Sequence, residues 1–195
     1  MSAETAVKLQ KVKKYSASLR TLFMCLFVVG AAMWLISTIL ALEGGFVHAG
    51  FGRPDAVYPE AIVRIGSTEY RGDAVSGGIR TLSIVYFTLN VALVLALTLH
   101  LVQLFELYAD GKIFSADNVR QIRRIGITLM LFPALSALGL LVPLVAPSEG
   151  TSDGARAVAE FVGSIQSFVM GFIVLVVSWV MDVGRELREE QDLVV

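Results

Sequence analysis

The chain has 195 residues, 55% of them hydrophobic and only 17% charged, with a formal net charge of −1 and a mean hydropathy of +0.71. A soluble domain of this size and composition would aggregate, so the balance excludes one and makes the bilayer the solvent. The total charge says little, whereas its distribution along the chain orders everything that follows.

Residues 1–20 alternate Lys8, Lys11 and Lys14 with Leu9, Val12 and Leu19 at helical spacing. This reads as a basic flank of the first span, the alternative being a helix lying on an anionic leaflet. Residues 21–42 then run without a charge, as do 81–105, 125–146 and 161–181. At about 1.5 Å per helical residue, each run matches or exceeds a hydrocarbon core roughly 30 Å thick. The first run is longer than a signal-peptide core, and Leu40-Ala41-Leu42-Glu43 is a poor cleavage site, so an uncleaved anchor is expected. Cys25, the single cysteine, rules out an internal disulfide and reads as a lipid-facing or packed thiol.

The loop 43–80 opens with Gly44, Gly45, Gly50 and Gly52 and closes with Ser76-Gly77-Gly78. Within it, Val57, Ile62, Val63, Ile65 and Tyr70 around Gly66-Ser67 predict a short β-hairpin capping the bundle. Arg71-Gly72-Asp73 spells an adhesion tripeptide, a match that chance supplies. The second span holds Asn90, His100 and Gln103, with Ala92, Ala96 and His100 four apart as a packing stripe. The third contains Pro133 and Pro143, which would bend it. The short loop 147–160 makes the third and fourth spans antiparallel neighbours. In the fourth, Gly163, Ser167 and Gly171 form a groove of small residues for close helix packing, and Gln166 can meet Asn90 at similar depth as a structural amide contact. His100 reads as a packing histidine, with titration near neutral pH as the sharper alternative.

Eleven Lys and Arg lie in residues 1–20, 106–124 and 182–195, against five in 43–80 and 147–160. Cationic loops are retained in the cytoplasm, so both termini and the 106–124 connection are expected inside and the 43–80 loop outside. The predicted fold is an all-α membrane protein, a single four-transmembrane-helix up-down bundle over 1–195 in a bacterial cytoplasmic (inner) membrane.

The most specific grammar lies in the connection. It reads Tyr108-Ala109-Asp110-Gly111-Lys112-Ile113-Phe114-Ser115, then Ala116-Asp117-Asn118-Val119-Arg120-Gln121-Ile122-Arg123-Arg124-Ile125-Gly126. Asp110-Gly111 predicts a helix end with a left-handed glycine, Ser115 predicts the next N-cap, and Asp117 sits in the first turn where the dipole favours an anion. Arg120, Arg123 and Arg124 would snorkel toward phosphates. The tail pairs Arg185 with Glu189 and Arg188 with Asp192 at i,i+4 and ends in a strand-like Leu193-Val194-Val195.

These patterns, Tyr-x-x-Gly-x-Ile-Phe-Ser, Asn-x-x-x-Ile-Arg-x-Ile-Gly and the Glu-Glu-x-Asp-Leu terminus, resemble the bacterial membrane family named domain of unknown function 2975. The resemblance covers most of the chain, although the first loop offers nothing to match. It implies no catalytic activity. Members are often encoded beside small helix-turn-helix regulators, which implies sequestering of, or signalling to, a transcription factor. The expected docking surface comprises Tyr108, Gly111, Phe114, Ser115, Asn118, Arg120, Arg123 and Arg124 with Glu186, Glu189, Glu190, Asp192 and Leu193. Expected partners are the lipid bilayer, that cytoplasmic regulator, and a second copy of the chain, with no direct nucleic-acid contact. No cofactor or metal is implied, and no enzyme motif is present. A small transporter, channel or toxin-immunity component is the alternative, motivated by the proline-bearing span and His100 but lacking an intramembrane carboxylate or Arg.

Overall fold

The computed structural model describes residues 3–42, 62–65, 68–71, 77–111, 115–145 and 154–193. Four helices account for nearly all of them: α1 (Ala3–Leu42), α2 (Gly77–Ala109), α3 (Ala116–Val145) and α4 (Gly154–Leu193). Between α1 and α2, strands β1 (Ile62–Ile65) and β2 (Thr68–Arg71) pair antiparallel, with Ile62 opposite Arg71 and Ile65 opposite Thr68. Val57, Gly66 and Ser67 lie outside the described residues.

All four helices are long and apolar enough to cross a membrane. The chain is a multi-pass membrane protein. Its outward surfaces carry Leu22, Val29, Met33, Val94, Phe172 and Val180, each at least half exposed. Water would penalise such a surface, whereas lipid does not. A third of the most apolar window of α3 is buried, against none in α1 or α2, so α3 has the most protein around it.

The helices outrun the charge-free spans. α1 continues without a break through residue 20, so the basic flank prolongs the first span's axis and is not a separate surface helix. Seven residues of the expected 147–160 loop belong to α4, which also carries the tail as helix through Leu193; the other two residues of the expected strand-like end, Val194 and Val195, lie outside the described residues. α3 runs unbroken through Pro133 and Pro143.

Contacts divide the chain into two compact units. The first contains Met1–Val29, Val94–Met130 and Phe168–Val195. Its core is Leu104, Ile122 and Ile125, joined by Leu97, Leu101 and Tyr108 of α2, Leu129 of α3, and Val174 and Met181 of α4. The spacings are threes, fours and sevens, so each helix presents one stripe. α1 joins through Phe23, stacked on Phe105 with centroids 5.5 Å apart, and through Arg20, 3.4 Å from Glu106.

In that unit α3 and α4 run antiparallel along a seam. The buried Ser178 hydroxyl donates to the Val119 carbonyl at 3.2 Å. Seven residues away on each helix, Gly126 and Gly171 bring the two backbones together. A Cβ at Gly171 would lie 2.9 Å from the Gly126 carbonyl oxygen, and one at Gly126 would lie 3.1 Å from that of Gly171. A repeat of seven is the spacing at which packed helices keep one face toward each other.

The second unit contains Gly30–Leu93 and Leu131–Ser167. There a Cβ at Gly139 would lie 2.8 Å from the Tyr86 hydroxyl, so the absence of a side chain on α3 admits the phenol of α2.

The small-residue stripe of α4 is therefore divided. Gly171 is seated against α3, whereas Gly163 has nothing within 4 Å of its would-be Cβ, and Ser167 bonds back to the Gly163 carbonyl of its own helix. The expected Asn90–Gln166 contact does not form. Asn90 Nδ2 donates to the Tyr86 carbonyl one turn back, while Gln166 is exposed. Ala92 is also exposed, Ala96 is half-buried, and the enclosed Nδ1 of His100 has no hydrogen-bond partner among the described residues. Spacing of four defines a face, but not what that face meets.

Candidate functional site

Residues 106–124 were expected as a cytoplasmic connection, and most of them are helical. Only 110–115 separate α2 from α3. The end of α2 closes with the Asp110 N–H donating to the Glu106 carbonyl and the Gly111 N–H to that of Tyr108, both at 3.0 Å. Gly111 then takes φ 80°, a left-handed conformation that costs glycine little and other residues more. At the start of α3 the Asn118 N–H donates to the Ser115 hydroxyl at 3.3 Å, and the Val119 N–H to the Ser115 carbonyl. Ser115 is thus the N-cap.

The short turn brings the last two turns of α2 against the first turns of α3. A cleft of about 330 Å³ opens between them, lined by Gln103, Glu106 and Leu107 from α2, by Asp110 just past its end, and by Asp117, Arg120, Gln121 and Arg124 from α3. Its ion pairs are loose and exposed, Asp117 with Arg120 at 3.3 Å and Glu106 with Arg20 at 3.4 Å. Such pairs contribute little to stability and are readily redirected. The Arg124 guanidinium makes no ion pair among the described residues. Gln121 Oε1 is buried and accepts no hydrogen bond there.

The expected docking residues separate into four groups. Asn118 is 0% exposed and presents no side chain outward, whereas Tyr108 is half-buried against the core and edge-on to Phe105. Arg120, Arg124, Glu186 and Glu190 are exposed. Arg123 reaches Asp182 of α4 at 3.6 Å, and Arg185 meets the other oxygen of Asp182 at the same distance; the expected pairing of Arg185 with Glu189 falls on a side chain outside the described residues. Phe114, and the side chains of Arg188, Glu189, Asp192 and Leu193, lie outside the described residues. The sequence reading missed Gln103, Glu106, Asp110 and Gln121 as one set, although their intervals of three and four place them on two facing stripes. It also missed Ser178, a lone hydroxyl in an apolar run.

Among the described residues no group of three or more His, Cys, Asp or Glu could hold a metal ion. Cys25 is exposed and free.

Four membrane-crossing helices and a short, capped turn between α2 and α3 define a small helical membrane protein. The family described as "Protein of unknown function (DUF2975)" matches residues 55–195, well over half of the chain, and the chain belongs to it. Comparison with curated proteins and with solved structures returns no match.

Proposed function

We propose that the chain is a non-enzymatic regulatory protein, an up-down four-helix bundle of the bacterial inner membrane, whose cytoplasmic face docks a protein partner such as a small helix-turn-helix regulator. The observation that carries this reading is the exposure of both charge signs at that end, Arg120 and Arg124 beside Glu186 and Glu190. Complementary charge orients a partner, and Phe114 and Leu193, whose side chains lie outside the described residues, are the candidate apolar anchors. The family resemblance supplies the class of partner.

Orientation rests on eleven cationic residues against five. In a Cys25→Ser background, Ser67→Cys and Ser152→Cys should label from outside sealed cells, and Ser2→Cys and Gln191→Cys should not. Labelling of the last two would invert the topology.

Deleting residues 186–195 should leave insertion intact, because the uncharged run of the fourth span ends at Met181 and the Asp182 contacts with Arg123 and Arg185 remain. It should also abolish recovery of the partner from solubilised membranes and change transcription of its target genes. Normal insertion with every co-purifying protein retained and an unchanged transcriptome would sink the docking reading. Counter-ion-dependent flux in vesicles holding the purified protein would instead favour a transporter.

A further inference from the structure

The cleft between α2 and α3 holds the Arg120 and Arg124 of the docking reading, but sets them with the carboxylates of Glu106 and Asp110 and with Gln121 within one small volume. We infer that it binds a phosphate ester carrying a primary ammonium, the chemistry of a phosphoethanolamine headgroup. This inference stands apart from the docking reading.

Arg124 supplies a guanidinium with no ion pair among the described residues, and Arg120, one turn away on the same face, is held only by an exposed 3.3 Å contact with Asp117. Two guanidiniums four residues apart on one helix can grip one phosphate, each through paired N–H donors. A plain anion would nevertheless enter beside the carboxylates of Glu106, Asp110 and Asp117, which repel it. A plain cation would meet the two arginines. A ligand with both signs satisfies both sets. Gln121 also lines the cleft, and its enclosed Oε1 accepts nothing from the described residues; a rotation of the amide that turns this oxygen into the cleft would let the ammonium supply the missing N–H, and a buried acceptor left unmade is costly.

Position favours the membrane as the source. Glu106 is the first charge after the uncharged run 81–105, and Arg124 is the last before 125–146. If those runs fill the hydrocarbon, the cleft lies at headgroup level. Its volume of about 330 Å³ is at the small end of ligand sites, enough for a headgroup and too little for a folded partner.

The test uses the full-length protein in detergent, with retained lipid counted by native mass spectrometry. Phosphatidylethanolamine, phosphatidylcholine and phosphatidylglycerol are supplied at equal concentration. Phosphatidylethanolamine should be retained on the order of tenfold better than phosphatidylcholine, whose quaternary ammonium has no N–H to give, and Arg124→Gln should lower its retention by a similar factor. Gln121→Leu provides a second variant should Arg124→Gln fail to fold, and it should reduce the preference over phosphatidylcholine. Free O-phosphoethanolamine distinguishes the sources: displacement of the lipid assigns a soluble ligand of the same chemistry, and no displacement assigns the lipid. Equal retention of phosphatidylcholine, stronger retention of phosphatidylglycerol, or unchanged retention in the folded variants would overturn the proposal.

Discussion

Leucine in place of Gly171 is expected to destabilise the protein by about 1 to 3 kcal/mol, the usual cost of overfilling a packed contact. The obstruction at Gly171 is backbone: even a Cβ would stand 2.9 Å from the Gly126 carbonyl oxygen, with Met130 Cγ at 2.8 Å and Leu129 Cβ at 3.1 Å. Met130 can rotate aside, but the carbonyl can move only with α3. Gly126→Leu should act similarly, although its nearest obstacle, Leu175 at 2.8 Å, is a side chain that can partly yield. Gly163→Leu provides the control. With nothing within 4 Å, it should be neutral or slightly stabilising, since leucine favours helix over glycine by somewhat less than about 1 kcal/mol. Thermal unfolding in detergent reads all three. Equal loss at 163 and 171 would mean the helices meet along the whole stripe, and no loss at 171 would mean α4 does not pack on α3 there.

Asn118→Asp is expected to cost more. Asn118 is 0% exposed, so a carboxyl of almost the same size would have either to hold its charge without water or to take up a proton, and both cost stability. An uncompensated buried charge costs about 3 to 5 kcal/mol. The substitution falls in the first turn of α3, where the helix dipole favours an anion, but by only about 0.3 to 1 kcal/mol, so burial wins. Asn118→Leu, which keeps the volume and removes the polar atoms, should cost only about 1 to 3 kcal/mol. Thermal unfolding and hydrogen exchange across α3 would measure the difference. An Asn118→Asp variant as stable as the parent would show that water reaches the site.

How much of this was readable in the sequence follows from which interactions are local. The spans were legible because absence of charge over more than twenty residues is itself the physical requirement for crossing lipid. The left-handed Gly111 and the Ser115 cap were legible because turn and cap chemistry act within four residues. Asn118 turns inward because it shares a face with Ile122 and Ile125, and Tyr108 is half-buried because it shares one with Leu101 and Leu104. Motif grammar does not distinguish a residue that shapes a turn from one that faces outward. Gln166 and Gly163 failed for the opposite reason: depth and spacing were right for a contact, but the angle about the α4 axis pointed them away from protein. Ser178 had no sequence signal, since its partner is a main-chain carbonyl 59 positions away.

The seam between α3 and α4 limits how this half of the molecule can move. Two fixings, the Ser178 hydroxyl on the Val119 carbonyl and the backbone approach at Gly126 and Gly171, lie two helical turns apart on both partners. A piston stroke of one residue, about 1.5 Å along the axis, breaks the first and drives the Gly171 backbone toward neighbouring side chains at the second. Axial thrust is therefore blocked, whereas tilting the pair as one body leaves both fixings intact. A force applied to the end of α4 would reach the Ser115 cap as leverage.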